Sequence, residues 1–261
     1  MNKLKIIAVA AFASILVLMQ SCSTQNIYYA PVWAAAYQQK AAENKALAMQ
    51  AYNIAHERLD KYIAEPSDKP FAVITDIDET VLDNSPYIVH RALRNKGYSD
   101  TTWKAWTARV DADTIAGALS FFTYAASKKV EVFYVSNRQQ SEASQTLANL
   151  KKWNFPYADE THLLLKVNTS SKDARRAAVA TKYNVLMWFG DNLGDFEGTY
   201  DTLPVAARDK QTVQERDKFG SRFIVLPNAM YGGWQSALLN YNHKLSAKEQ
   251  KKLIESQLKN Y

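Results

Sequence analysis

Phe71-Ala72-Val73-Ile74-Thr75, a mostly apolar run, leads straight into Asp76-Ile77-Asp78-Glu79. No other stretch constrains the fold as strongly. A short strand that is apolar on both faces belongs inside a parallel sheet, covered from each side. Ligands of open α/β sheets bind beyond the carboxyl ends of such strands. Acids delivered to that position are costly unless a cation or a chemical task holds them.

The same pattern recurs along the chain. "VEVFYVSN" (130–137), "HLLLK" (162–166), "NVLMWFG" (184–190) and "RFIVLP" (222–227) read as strands. Helical segments separate them at about 114–128, 139–153 and 171–183. This alternation predicts an α/β fold, a Rossmann-like three-layer arrangement with helices on both faces of a parallel sheet. Residues 85–110, polar and aromatic with helical spacing, are expected to add a small helical cap. Residues 30–65 are rich in Ala, Gln, Lys and Glu and contain no Gly, which favours one or two helices. The aromatics there, Trp33, Tyr37, Tyr52 and Tyr62, read as packing residues.

The first residues have a different character. "MNKLKIIAVAAFASILVLMQSCSTQ" has a basic start, an apolar run from Ile6 to Met19, and small residues around Ser21-Cys22. That is the layout of a secretory signal, too short for a comfortable membrane span. Cys22 is the single cysteine, so no internal disulfide can form. Its place at the end of the apolar run resembles that of the lipid-modified first residue of a bacterial lipoprotein; the plain reading is an incidental cysteine beside a conventional cleavage site. The expected division is a signal at 1–21, a tether at 22–30 and an N-terminal helical segment at 31–66. A catalytic core with its cap follows at 67–242, and a C-terminal helix at 243–261. The helical segment offers a surface on which a homodimer could pack.

The formal net charge is +6, of which Lys3 and Lys5 in the signal supply two, leaving +4 downstream. Charges alternate in sign, as in "KLSAKEQKKLIESQLK", and no basic stripe is interleaved with aromatics. Nucleic acid is therefore not an expected partner. A modest positive balance suits a small anionic substrate.

Four predicted strand ends carry polar groups: Asp76 and Asp78; Ser136-Asn137-Arg138; Lys166; and Asp191 with Asp195 in "GDNLGDF". Parallel strands share one rim, so these groups are expected to converge. Acids with one lysine and one hydroxyl are an inventory for holding Mg²⁺ and a phosphoryl group together. Singly, each has a plain structural reading. Asp-x-Asp can form a turn, Ser136 can cap a helix, and Lys166 can be a solvated side chain. Their order, each directly after an apolar run, carries the functional reading.

"DIDETVLDNSPY", "VSNR", "LLLK" and "GDNLGDF", in this order, resemble the four signature motifs of haloacid-dehalogenase-like phosphatases. The extension of the first motif, the lipoprotein signal and "PNAMYGGW" resemble more narrowly the class C acid phosphatases of the outer-membrane lipoprotein e type, which act as 5'-nucleotidases. The resemblance implies a Mg²⁺-dependent phosphomonoesterase, lipid-anchored through Cys22 in a bacterial outer membrane and acting on nucleoside monophosphates. Asp76 would be the nucleophile, giving an aspartyl-phosphate, and Asp78 the general acid and base. The metal would be held by the Asp76 carboxylate, the Asp78 carbonyl and Asp191, with Asp195 behind them. Ser136 would bond the phosphoryl oxygens and Lys166 would neutralise them. Asn137, Arg138, Trp106 and Tyr231 would contact the substrate. The alternatives are a phosphotransferase of the same superfamily, or a non-catalytic surface lipoprotein that binds haem or a nucleotide.

Overall fold

The computed structural model describes residues 27–261. The signal segment and Cys22 lie outside the described residues. Five parallel strands form the central sheet in the order β5-β4-β1-β6-β7: β1 Phe71–Thr75, β4 Glu131–Gln139, β5 Leu163–Lys166, β6 Asn184–Gly190 and β7 Phe223–Val225. β1 is central, pairing Thr75 with Tyr134 on one side and with Phe189 on the other. The chain first builds outward from β1 through β4 to β5, then crosses back to add β6 and β7 on the opposite side. The reversal puts a topological switch point at the carboxyl end of β1, where a crevice opens.

Alternation along β1 shows that both faces of the sheet are covered. Val73 joins a large apolar cluster with Tyr52 and Leu59 of α2 (Ala42–Ile63) and Phe121 and Phe122 of α5 (Ala118–Ser127). Leu150 of α6 (Ala143–Lys152) belongs to the same cluster. Ala72 and Ile74 face the other way, onto a smaller cluster with Val179 of α7 (Asp173–Lys182). Burying each such Leu, Ile or Phe side chain stabilises the fold by roughly 1.5–3 kcal/mol. The three-layer expectation holds.

The expected helical stretches divide more finely. The N-terminal segment breaks at Ala41, which is extended (φ −79°, ψ 126°), leaving α1 (Pro31–Lys40) and the long α2. Residues 85–110 form two helices, α3 (Ser85–Ala92) and α4 (Asp100–Thr107). The chain between them turns at Asn95, whose φ is +53°, and Ser99 then caps α4 by accepting from the Thr102 amide. The helix expected from 114 begins only at Ala118. Asp113–Thr114 instead forms strand β3, paired antiparallel with β2 (Leu82–Asp83). Together α1, α3 and α4 build the helical addition beside the carboxyl ends of the strands. The remaining helices are α8 (Val205–Gln214), α9 (Gly233–Leu238) and α10 (Ala247–Gln257). Among the described residues no helix is long and apolar enough to cross a membrane.

Tyr52 joins the core to the loop after β1. Its ring stacks on Phe189 (5.8 Å, 13°) and its hydroxyl donates to the Thr80 carbonyl at 2.7 Å. Tyr52→Phe leaves that buried carbonyl short of one bond and should cost about 1–2 kcal/mol. Phe122→Ala, which opens a cavity in the same cluster, should cost about 3–5 kcal/mol. Urea unfolding of both variants measures the difference.

Candidate active site

The chain presents Asp76 and Asp78 to one cavity through a simple local device. The Asp76 amide still donates to Phe189 O at 2.9 Å, so the residue continues the sheet ladder. Ile77, Val81 and Leu82 then turn into the core, fully buried, while the Ile77 carbonyl accepts from the Val81 and Leu82 amides at 2.8 Å each. With Ile77 inward, its neighbours Asp76 and Asp78 face the opposite way, into a cavity of about 590 Å³. Glu79 makes the turn at φ +61° and is itself buried, accepting from the Asn84 amide at 2.7 Å and from the Tyr231 hydroxyl.

The ammonium at the site belongs to Lys172. It is buried between Asp76 Oδ1 and Asp195 Oδ1, at 2.6 Å from the latter. Lys166 ends β5 paired in register with Gln139 and does not line the cavity. The expectation for Lys166 is therefore corrected to Lys172, six residues on. The chain between them leaves the strand, and the lysine that returns to the rim stands at the N-cap of α7. A helix N-terminus disfavours a cation. A lysine in the capping position of "SSKDARR" was thus the available signal.

Two acids approach from β6. Asp191 accepts from the side-chain amides of Asn192 and Asn228, both at 2.7 Å. Asp195 accepts from the Asn192 amide at 2.9 Å as part of a capping box. Gly190 allows this turn: a Cβ there would stand 2.4 Å from the Asp195 Cβ. Carboxylate oxygens of Asp76, Asp191 and Asp195 all lie within 4.8 Å of one another. Burial pushes the Asp76 carboxyl up to about 7, against the pull of Lys172 and with the push of Asp195 and Asp78. Asp191 is held well above its ordinary value by burial and by the charges of Asp195 and Asp76. Burial would lower the Lys172 ammonium, but Asp195 and Asp76 outweigh it and hold it raised. Three carboxylates share one ammonium, and this oxygen-only set fits a hard divalent cation.

Asp78 stands apart from that cluster. Its carboxylate accepts from Arg138 Nη2 and from Asn84 Nδ2, both at 2.8 Å. Arg138 is itself buried, with Nη1 3.2 Å from Thr146 Oγ1 and its guanidinium 5.8 Å from the Trp103 ring centroid. Ser136 is fully buried behind this pair and accepts from the Arg138 amide at 3.1 Å; it is not part of the cavity wall. Asn137 lines the cavity, and its side-chain oxygen accepts from Arg175 at 2.7 Å.

Of the expected aromatics, Tyr231 lines the cavity and Trp106 does not. Trp106 packs against the core and donates its indole N–H to Asn84 Oδ1 at 2.8 Å, one step behind Asp78. Three residues earlier on α4, Trp103 faces the cavity and meets Tyr87 edge-on at 5.1 Å, with Tyr98 beside them. Helical spacing allowed either tryptophan to face the cavity, and packing chose Trp103. Sequence reasoning also missed Arg175 and Arg176. Arg175 donates to the Ser136 carbonyl at 2.6 Å; Arg176 donates to the carbonyls of Gly194 (2.8 Å) and Asp195 (2.7 Å).

The fold and this donor set are those of a haloacid-dehalogenase-like phosphatase. The sequence matches the family model of the HAD superfamily, subfamily IIIB (acid phosphatase), over residues 12–234, and the chain belongs to that family. Its structure is similar to that of the class C acid phosphatase from Bacillus anthracis, with a TM-score of 0.87 and 36% identity. The match covers 90% of this chain and 99% of that one. The structure of the Bacillus anthracis class C acid phosphatase with tungstate bound matches equally, with a TM-score of 0.87, 35% identity and the same coverage. The stem 31 kDa glycoprotein of Glycine max is 26% identical over 164 residues, 60% of this chain and 58% of that protein's length. A phosphomonoesterase is the enzyme class that this family and these structures indicate.

Lys172→Met leaves two buried carboxylates without their ammonium. It should lower the turnover of an aryl phosphomonoester by about 100-fold or more, the scale of losing one preorganised charge contact. It should also destabilise the fold by about 3–5 kcal/mol, because the remaining charges are buried and unpaired. Lys166→Met should change neither. Steady-state kinetics and thermal unfolding of the two variants test the assignment.

Proposed function

We propose that the protein is an exported, divalent-metal-dependent acid phosphatase that hydrolyses phosphomonoesters, nucleoside monophosphates among them, through an aspartyl-phosphate on Asp76. One observation carries this reading: a buried carboxylate at the tip of the central strand shares its cavity with a second carboxyl two residues on and faces a buried ammonium. Binding alone has no need of both acids.

In the first half-reaction an Asp76 oxygen bonds to phosphorus and the P–O ester bond breaks. The departing alcohol oxygen takes its proton from Asp78. In the second, a water attacks the phosphorus and gives its proton to Asp78. The acyl-phosphate bond then breaks, freeing Asp76 and inorganic phosphate. Arg138 and Asn84 hold the Asp78 carboxyl in place on the cavity side. Lys172 offsets the charge of the phosphoryl oxygens. Asp76, Asp191 and Asp195 would hold the cation, which we take to be Mg²⁺ and which would supply further positive charge against those oxygens. Tungstate, an oxyanion of phosphate's shape, is bound in one of the related structures. The aromatic wall of Tyr87, Tyr98 and Trp103 offers flat faces for a nucleobase or aryl group, which supports the nucleoside monophosphate reading. Export and anchoring are read from the signal layout and Cys22.

Phosphate release from a panel of phosphomonoesters, with Mg²⁺ and with chelator, tests the proposal. Chelation should abolish release and Mg²⁺ restore it; full activity in excess chelator would remove the metal from the scheme. A phosphorylated product retained in place of free phosphate would point to a transferase. Asp76→Asn should cost at least about 100-fold on every substrate. Asp78→Asn should cost on the order of 10²–10⁴-fold for a nucleoside monophosphate. It should cost less for an aryl phosphate, whose leaving group needs less protonation. Equal losses on both substrates would mean that Asp78 is not the proton donor.

A further inference from the structure

The segment that walls the cavity on its N-terminal side also has an outer surface. Ile27, Tyr28 and Pro31 line the cavity, and the Tyr28 ring lies against Gly97. Around them Trp33 and Tyr37, four residues apart, share one side of α1, and Tyr29 stands in the short 3-10 turn just before it. All three are exposed, Trp33 at 79%. The opposite side of α1 is already taken. Ala35 and Gln38 are buried there, the Gln38 amide donating to Asp83 at 2.7 Å and the Gln39 amide to Ser85 Oγ at 3.0 Å. With α1 tied to the start of α3 in this way, the aromatic stripe cannot turn inward. Leu93, at the end of α3, is exposed as well. Clustered exposed apolar side chains of this kind mark an interaction surface.

Charge narrows the partner. Residues 27–42 and 84–99 on this side contain no Asp or Glu and carry Lys40, Arg91, Arg94 and Lys96, while α10, whose Gln250 lines the cavity with Ile27 and Tyr28, adds Lys248, Lys251 and Lys252 against Glu249 and Glu255, so the balance stays positive. A patch of net positive charge is repelled by a copy of itself across a two-fold axis, where each patch meets its own kind. An anionic surface is the complementary partner. The chain supplies the rest of the argument. Cys22, directly after the apolar run Ile6–Met19, precedes Tyr29 by seven residues. Fully extended, that linker spans roughly 25 Å at most, so a chain held by lipid at Cys22 keeps this face close to the headgroups. Trp and Tyr rings settle at membrane–water interfaces, apolar body inward and polar edge outward. Lys and Arg near such a surface are drawn to anionic lipids.

We propose that Tyr29, Trp33 and Tyr37, with Lys40, Arg94 and Lys96 around them, form a docking face that seats the enzyme on an anionic bilayer surface. The inference rests on the reading that Cys22 carries a lipid anchor. The anchor alone would leave the catalytic domain free to tumble on its tether. The docking face gives it one orientation, with the cavity mouth beside the membrane and its N-terminal wall braced from outside.

The test uses the full chain purified from membranes and reconstituted into vesicles of phosphatidylethanolamine and phosphatidylglycerol with brominated acyl chains. Tryptophan emission is compared between the wild type and Trp33→Phe. The lipid should quench part of the wild-type emission, and Trp33→Phe should remove most of that quenching. Omitting phosphatidylglycerol or raising the salt should weaken it, while phosphate release from a soluble ester stays unchanged in the variant. Equal quenching in the two proteins, or none in either, overturns the docking face; so does a cross-linked dimer that buries Trp33 without quenching. Flotation of Cys22→Ser reads the anchor separately. Release from vesicles supports the anchor, and retention refutes it, while the quenching comparison on the wild type still decides the docking face.

Discussion

The Lys172 ammonium, buried between Asp76 and Asp195, is the interaction on which the site depends. Carboxylates taken out of water are strongly destabilising unless a partner of opposite charge is held in place. Here a single partner serves three acids, since Asp191 lies in the same group. The compensation is incomplete, which is why Asp76 and Asp191 hold their protons more tightly than ordinary carboxyls. The set fits a divalent cation, which would supply the missing positive charge.

A single helix organises this arrangement. The first turns of α7 carry Lys172 at the cap, then Arg175 and Arg176. Lys172 joins the end of β1 to the turn after β6; Arg175 holds the Ser136 carbonyl and Asn137 after β4. Arg176 holds the carbonyls of Gly194 and Asp195. Three strand ends are thus referenced to one rigid element. Their relative positions are set by hydrogen bonds to backbone as much as by the sheet. Catalytic geometry on loops tolerates little slack, and supports of this kind remove it.

Much of this was legible in the residues and some was not, for identifiable reasons. "FAVIT" announced a strand buried on both faces, and Val73 and Ile74 do enter separate clusters. Asp76 and Asp78 were legible as site residues because they directly follow an apolar run whose end lies on the shared rim; the inward turn of Ile77 that aims both at the cavity is seen only in the structure. Lys166 directly ends an apolar run, but its strand β5 is at the edge of the sheet with β4 between it and β1, whereas Lys172 beyond the loop reaches Asp76. Trp103 and Trp106 are indistinguishable by composition, and only the seat of α4 on the core separates them. Ser136 follows its strand as expected, yet it is fully buried, accepting from the Arg138 amide and reaching Asp78 Oδ2 only at 3.5 Å, and it does not line the cavity.

The sequence by itself determined the sheet, the layers on either side, and the strand ends that carry acids, because these follow from short-range periodicity and the cost of burying polar groups. Tertiary structure decided which lysine meets the carboxylates, which tryptophan faces the cavity, and that Arg138 binds Asp78. Those outcomes depend on distances between residues dozens of positions apart, such as Asp78 and Arg138 or Asp76 and Lys172. Local pattern sets the direction in which a side chain leaves the backbone; only packing of the whole chain sets what it finds there.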